Sequence, residues 1–161
     1  MHSVWKRHEG GSCPWRIFER GMANNTEEWQ GKGCARQLNQ GYAMGYEKIF
    51  WYEFQQMSGF GITRRGSLDA RPAYMAYQTF VSFRPSGSVC CDGEWRSADG
   101  DLYFPRWRRP DGREAGAMWS VSRKGRAPDF ARGATDYRDW MGQPLDEIPD
   151  PLPDAPVYFL K

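Results

Sequence analysis

Residues 46–54 read Tyr-Glu-Lys-Ile-Phe-Trp-Tyr-Glu-Phe, and from Lys48 onward the run is nearly continuous in apolar and aromatic side chains. Successive side chains of a strand point to opposite faces, so a half-buried strand alternates apolar with polar. A run apolar on both faces instead fits a parallel strand covered on each side. The alternation puts Ile49, Trp51 and Glu53 on one face and Phe50, Tyr52 and Phe54 on the other. A chain holding such a strand needs helices to cover it and further strands to pair with it.

Both flanks supply helical patterns. Asn25, followed three residues later by Glu28, predicts an N-cap with a carboxylate in the first turn. The helix would run from Thr26 to about Met44, with Cys34, Ala35, Leu38 and Tyr42 on one stripe and Gly45 as its stop. Gly31, Gly33 and Gly41 weaken it, each by about 1 kcal/mol relative to alanine. A second helix is expected to open near Asp69, with Pro72 in its first turn and Ala73, Tyr74, Tyr77, Phe80 and Val81 as its apolar face. It would end before Pro85.

A strand framed this way matches the closing unit of a (β/α) barrel, whose chemistry sits at the C-terminal ends of the strands. Trp51 and Glu53 occupy that position. A whole eightfold barrel takes about 250 residues, more than the 161 present. Ser3 to His8 offers a preceding strand that ends in Glu9 and Gly10. Residues 1–84 are therefore expected to hold the last two βα units of an incomplete barrel: strand 7, helix 7, strand 8 and helix 8.

After Pro85-Ser86-Gly87-Ser88, a boundary by composition, the pattern shifts to short strands between turns. Leu102-Tyr103-Phe104 and Ala117 to Val121 flank a Pro110-Asp111-Gly112 turn and predict a hairpin. Ala134 to Tyr137 and Val157 to Leu160 follow, separated by a turn at Met141-Gly142-Gln143-Pro144. Residues 89–161 thus read as a small antiparallel β-sandwich, and the fold class as α+β.

Composition narrows the function classes. A net charge of +2 leaves no excess to build a nucleic-acid footprint; the basic run Arg106-Trp107-Arg108-Arg109 with Arg113 straddles a turn and reads as solvated hairpin strands. No apolar run nears the roughly 20 residues of a membrane span, so no membrane partner is expected. Cys13, Cys34, Cys90 and Cys91 lack zinc or redox spacing, and His2, His8 and Cys13 lack a further ligand at standard spacing. Neither metal nor cofactor is expected. Cytoplasm is the default location without a leader, although a leader could belong to a missing front part. Eight tryptophans within an aromatic share of 16% tilt the partner toward carbohydrate, because flat rings with polar tips suit sugar faces.

The order of parts, a strand ending in Glu9-Gly10, a helix opening at Thr26-Glu27-Glu28-Trp29-Gln30, the GYEKIFWYEF strand, the GFGIT turn, ARPAYMAYQTF and an appended β-domain, resembles the C-terminal part of clan A glycoside hydrolases. These are retaining (β/α)8 enzymes, and family 39-like and cellulase-like bacterial members look nearest. The resemblance implies that Glu9 is the nucleophile at the end of the seventh strand, within Trp5-Lys6-Arg7-His8-Glu9-Gly10. That spacing is one residue longer than the family's, and His8 replaces a small hydroxyl residue. Trp51 would floor the sugar site, with Glu53 a polar contact beside it. Retaining hydrolysis also needs an acid/base carboxyl about 5 Å from the nucleophile, and the Asn-Glu dipeptide that carries it in the clan does not occur in this chain. The expected function is thus the C-terminal part of a glycoside hydrolase acting on β-glycosides or polysaccharides, inactive alone, with the missing N-terminal barrel half as a second partner. The alternative is a non-catalytic module that binds carbohydrate or braces a barrel. An exposed row of Trp95, Trp107 and Trp119 would favour binding, and their burial would favour bracing.

Overall fold

The computed structural model describes residues 26–51, 54–55 and 61–161. Among these, two helices pack on a six-stranded antiparallel sheet, an α+β arrangement. Helix α1 spans Glu27–Ala43. Thr26 is its N-cap, and its hydroxyl accepts from the Trp29 amide at 3.1 Å; the expected cap, Asn25, lies outside the described residues. Glu27 and Glu28 in the first turn suit the positive end of the helix dipole. The helix closes as a Schellman motif: Tyr46 N donates to the Gly41 carbonyl at 3.0 Å and Gly45 N to that of Tyr42 at 2.9 Å. Gly45 takes φ +79°, which a side chain would strain.

Two of the three interior glycines prove to be contact surfaces. A Cβ at Gly31 would overlap the Trp140 ring and come within 3.0 Å of the Pro72 backbone, and one at Gly41 would lie 2.8 Å from Ile49. Gly33 meets nothing.

Helix α2 spans Pro72–Phe83, three residues later than Asp69, with the proline at its start, where a missing amide costs nothing. Its buried face is Ala73, Ala76, Thr79, Phe80 and Phe83. The expected face is thus corrected at Tyr77 and Val81, which are 37% and 45% exposed.

The strands are β1 (Val89–Cys90), β2 (Leu102–Tyr103), β3 (Arg106–Arg108), β4 (Glu114–Ser120), β5 (Asp136–Arg138) and β6 (Val157–Leu160). They run in the order β1-β3-β4-β6-β5, with β2 also on β4. The strands expected to pair do so, Leu102 opposite Ser120 and Tyr103 opposite Trp119, but the hairpin directly across the turn at residues 109–113 is β3 with β4, Trp107 opposite Ala115. The central strand β4 is covered on both faces. Ala115, Ala117 and Trp119 join Tyr158, Leu160 and Trp107 in a core shared with both helices. Met118 joins Val157 and Phe159 on the opposite face. There the cover consists of loop residues such as Phe130, Leu145, Ile148 and Leu152, and not of a second sheet among the described residues. The core runs across the compositional boundary at 85–88, because Phe83, Trp107 and Tyr158 share it.

The run from Lys48 departs most from expectation. Residues 48–51 form no strand, and Phe50 and Phe54 are 75% and 60% exposed. A strand is defined by ladder hydrogen bonds to a neighbour, and no described strand lies beside this run. Apolar composition alone therefore does not make sheet. The proposed strand at Ser3 to His8 lies outside the described residues.

Candidate functional site

The run around Trp51 passes beside α2, whose residues 74, 77, 78, 81 and 82 recur at helical spacing on a second face. Trp51, Phe54, Ile62, Tyr74, Tyr77, Gln78, Val81 and Ser82 line an open groove of about 540 Å³. Trp51 itself is half-buried and packs against the core.

The groove's foot is fixed by backbone chemistry. The Phe54 carbonyl accepts from Ile62 N at 3.0 Å, Thr63 N at 2.9 Å and Thr63 Oγ1 at 3.0 Å. Thr63 in turn bridges Ala70, and Arg71 N donates to the Ile62 carbonyl at 3.0 Å. Phe54, Ile62 and Thr63 are thus tied to the start of α2.

Aromatic faces and aliphatic surface dominate the lining, with Gln78, Ser82 and the tyrosine hydroxyls as polar groups. Such a surface stacks on apolar faces of a ligand or partner. None of the described lining residues is a carboxylate.

Of the predicted site residues, Trp51 lies in this groove, whereas Glu9 and Glu53 fall outside the described residues. The remaining lining was partly legible in the sequence: residues 74, 77, 78, 81 and 82 mark a second helical stripe, of which Tyr74, Tyr77 and Val81 fall within the expected apolar face and Gln78 and Ser82 do not.

The tryptophans of the β-region behave differently. Trp107 and Trp119 are fully buried. Trp107 Nε1 donates to the Phe83 carbonyl at 2.8 Å, and Trp119 stacks on Tyr103 with centroids 4.8 Å apart. Trp95 packs against Tyr103 and under Arg96. They pack the sheet and do not form an exposed sugar platform.

The basic run is engaged within the chain. Arg109 donates to the Ser82 and Phe83 carbonyls at 2.8 and 3.1 Å, capping the negative end of α2. Arg113 and Arg109 both grip Asp111, and the Arg113 hydrogen bond above all lowers that carboxyl to about 2.

Burial raises the Cys34, Cys90 and Cys91 thiols, so none of these is a ready thiolate nucleophile. Burial also raises the Tyr158 phenol, which accepts from Asn39 Nδ2 at 2.8 Å. Among the described residues no group of three or more His, Cys, Asp or Glu is placed to hold a metal ion. No described helix is long and apolar enough to cross a membrane. No family model matches the sequence, and no curated protein matches it.

Proposed function

We propose that this chain is the C-terminal part of a retaining glycoside hydrolase acting on β-glycosides. It would contribute the nucleophile Glu9 and the sugar-facing Trp51 and Glu53, while an upstream barrel half would supply the acid/base carboxyl. The observation that carries this reading is exposed aromatic surface beside α2: Phe50 and Phe54 are largely in solvent, and Phe54 lines the groove with the exposed Tyr77 and Val81. Burying apolar surface stabilises by about 25 cal/mol per Å², so a surface of this kind favours further chain packed against it. Together with the residue pattern from Glu9 to Phe80, that points to a barrel end awaiting its neighbours. On this reading α1 and α2 are the barrel's last helices, and the sheet is the appended domain.

The chain alone is expected to leave aryl β-glycosides intact. Adding an upstream barrel half that carries the Asn-Glu strand is expected to bring turnover, and Glu9→Gln to abolish it. Turnover by the isolated chain, or turnover of the assembled pair undiminished in Glu9→Gln, overturns the proposal.

For the β-region, a specific observation favours bracing over carbohydrate binding. Trp107 and Trp119 are buried, and the hairpin seals the end of α2 through Trp107 and Arg109. A bracing module without catalysis is accordingly the second reading.

A further inference from the structure

Arg71, the N-cap of α2, carries a charge yet is only 5% exposed. Burying a guanidinium is costly unless it is paired and hydrogen-bonded, and Arg71 has both kinds of contact. Its Nη1 donates to the Gly61 carbonyl, which also accepts from Gln30 Nε2 at 3.2 Å. Its Nε lies 3.4 Å from Glu27 Oε1, and the other Glu27 oxygen takes Arg64 at 2.8 Å. One carbonyl is therefore held by donors from α1 and from the residue that precedes α2, and the carboxylate that aligns the arginine comes from the first turn of α1. Gly61 directly precedes Ile62 and Thr63, whose amides grip the Phe54 carbonyl.

We propose that Arg71, aligned by Glu27 and seconded by Gln30, is a positioning residue that clamps the chain at Gly61, next to the Ile62 and Thr63 amides that hold the Phe54 carbonyl, and so sets where Trp51 stands against α2. A planar fork reaches a carbonyl and a carboxylate at once, which a lysine's point charge does not reproduce. That Trp51 so placed faces a sugar rests on the function proposed above; the clamp itself does not.

The test is fluorine NMR of the full chain carrying 5-fluorotryptophan, with lines assigned by single Trp→Phe substitutions. Arg71→Gln is expected to shift and broaden the Trp51 line while the Trp107 and Trp119 lines stay in place, and Arg71→Lys is expected to produce an intermediate displacement. A Trp51 line that does not move, or three lines that move together, overturns the clamp. If Arg71→Gln fails to fold, Gln30→Leu removes one donor from the same carbonyl; a Trp51 line shifted alone supports the clamp, and an unmoved one overturns it. With the upstream barrel half added, a wild-type Trp51 line indifferent to a β-linked oligosaccharide counts against the glycosidase reading and leaves the clamp standing.

Discussion

Two four-residue runs make the sharpest contrast in this molecule. Lys48-Ile49-Phe50-Trp51 and Val157-Tyr158-Phe159-Leu160 are both rich in β-branched, aromatic and large aliphatic side chains. The second lies between β4 and β5, with Phe159 opposite Gly116 and Tyr137, and every residue in it is buried. The first forms no strand, and Phe50 is largely in solvent. The difference teaches that strand propensity measures fitness for a pleated surface, not the existence of one.

The largest expected effect separates the two runs directly. Phe159→Ala is expected to cost about 3–5 kcal/mol, because it opens a cavity in a closed core, whereas Phe50→Ala should stay within about 0.5 kcal/mol, as surface substitutions do. Urea unfolding measures both, and a Phe50→Ala cost close to that of Phe159→Ala would break the comparison.

Next comes the close approach that lets β6 pack on β4. A Cβ at Gly116 would sit 2.6 Å from the Phe159 ring and 2.8 Å from the Pro105 carbonyl. Gly116→Ala is expected to destabilise by about 1–3 kcal/mol through overpacking. Gly33→Ala, whose Cβ meets open space on α1, should instead stabilise by up to about 1 kcal/mol through helix propensity. Matched thermal melts would check that the two signs differ.

The smallest effect lies at the tip of the β3–β4 hairpin. Asp111 is depressed from 3.8 to about 2, chiefly by its hydrogen bond to Arg113. A folded value below the unfolded one means that its contribution is present above pH 3.8 and is lost as pH falls through about 2. A carboxyl-carbon NMR titration should place the Asp111 midpoint below those of ordinary aspartates, and Arg113→Ala should raise it. An unshifted midpoint would remove the turn's electrostatic part in shaping the hairpin.

Much of the local structure was legible. The stripe of Cys34, Ala35, Leu38 and Tyr42, the stop at Gly45 and the entry through Pro72 follow from spacing and from backbone chemistry confined to a few neighbouring residues. So does the β3–β4 hairpin around Pro110-Asp111-Gly112. The groove was half legible, because Trp51 stood out while Tyr77 and Val81 were assigned to the core. Which of α2's two apolar stripes meets α1 depends on where α1's small residues fall, and neither helix states that alone. The role of Arg71 was not legible, since its partners Glu27, Gln30 and Gly61 come together only after both helices have packed.

The amino-acid sequence by itself determined the helices, the stop at Gly45, the turns and the apolar character of each run, since these are set by φ preferences, capping groups and side-chain periodicity within a turn or two. Only the tertiary structure decided that Val157 to Leu160 became sheet while Lys48 to Trp51 did not, and that Trp107 and Trp119 sank into the core. The physical reason is that ladder bonds and burial both belong to pairs of segments: the free energy of a run depends on what lies beside it, and a single run carries no record of its neighbour.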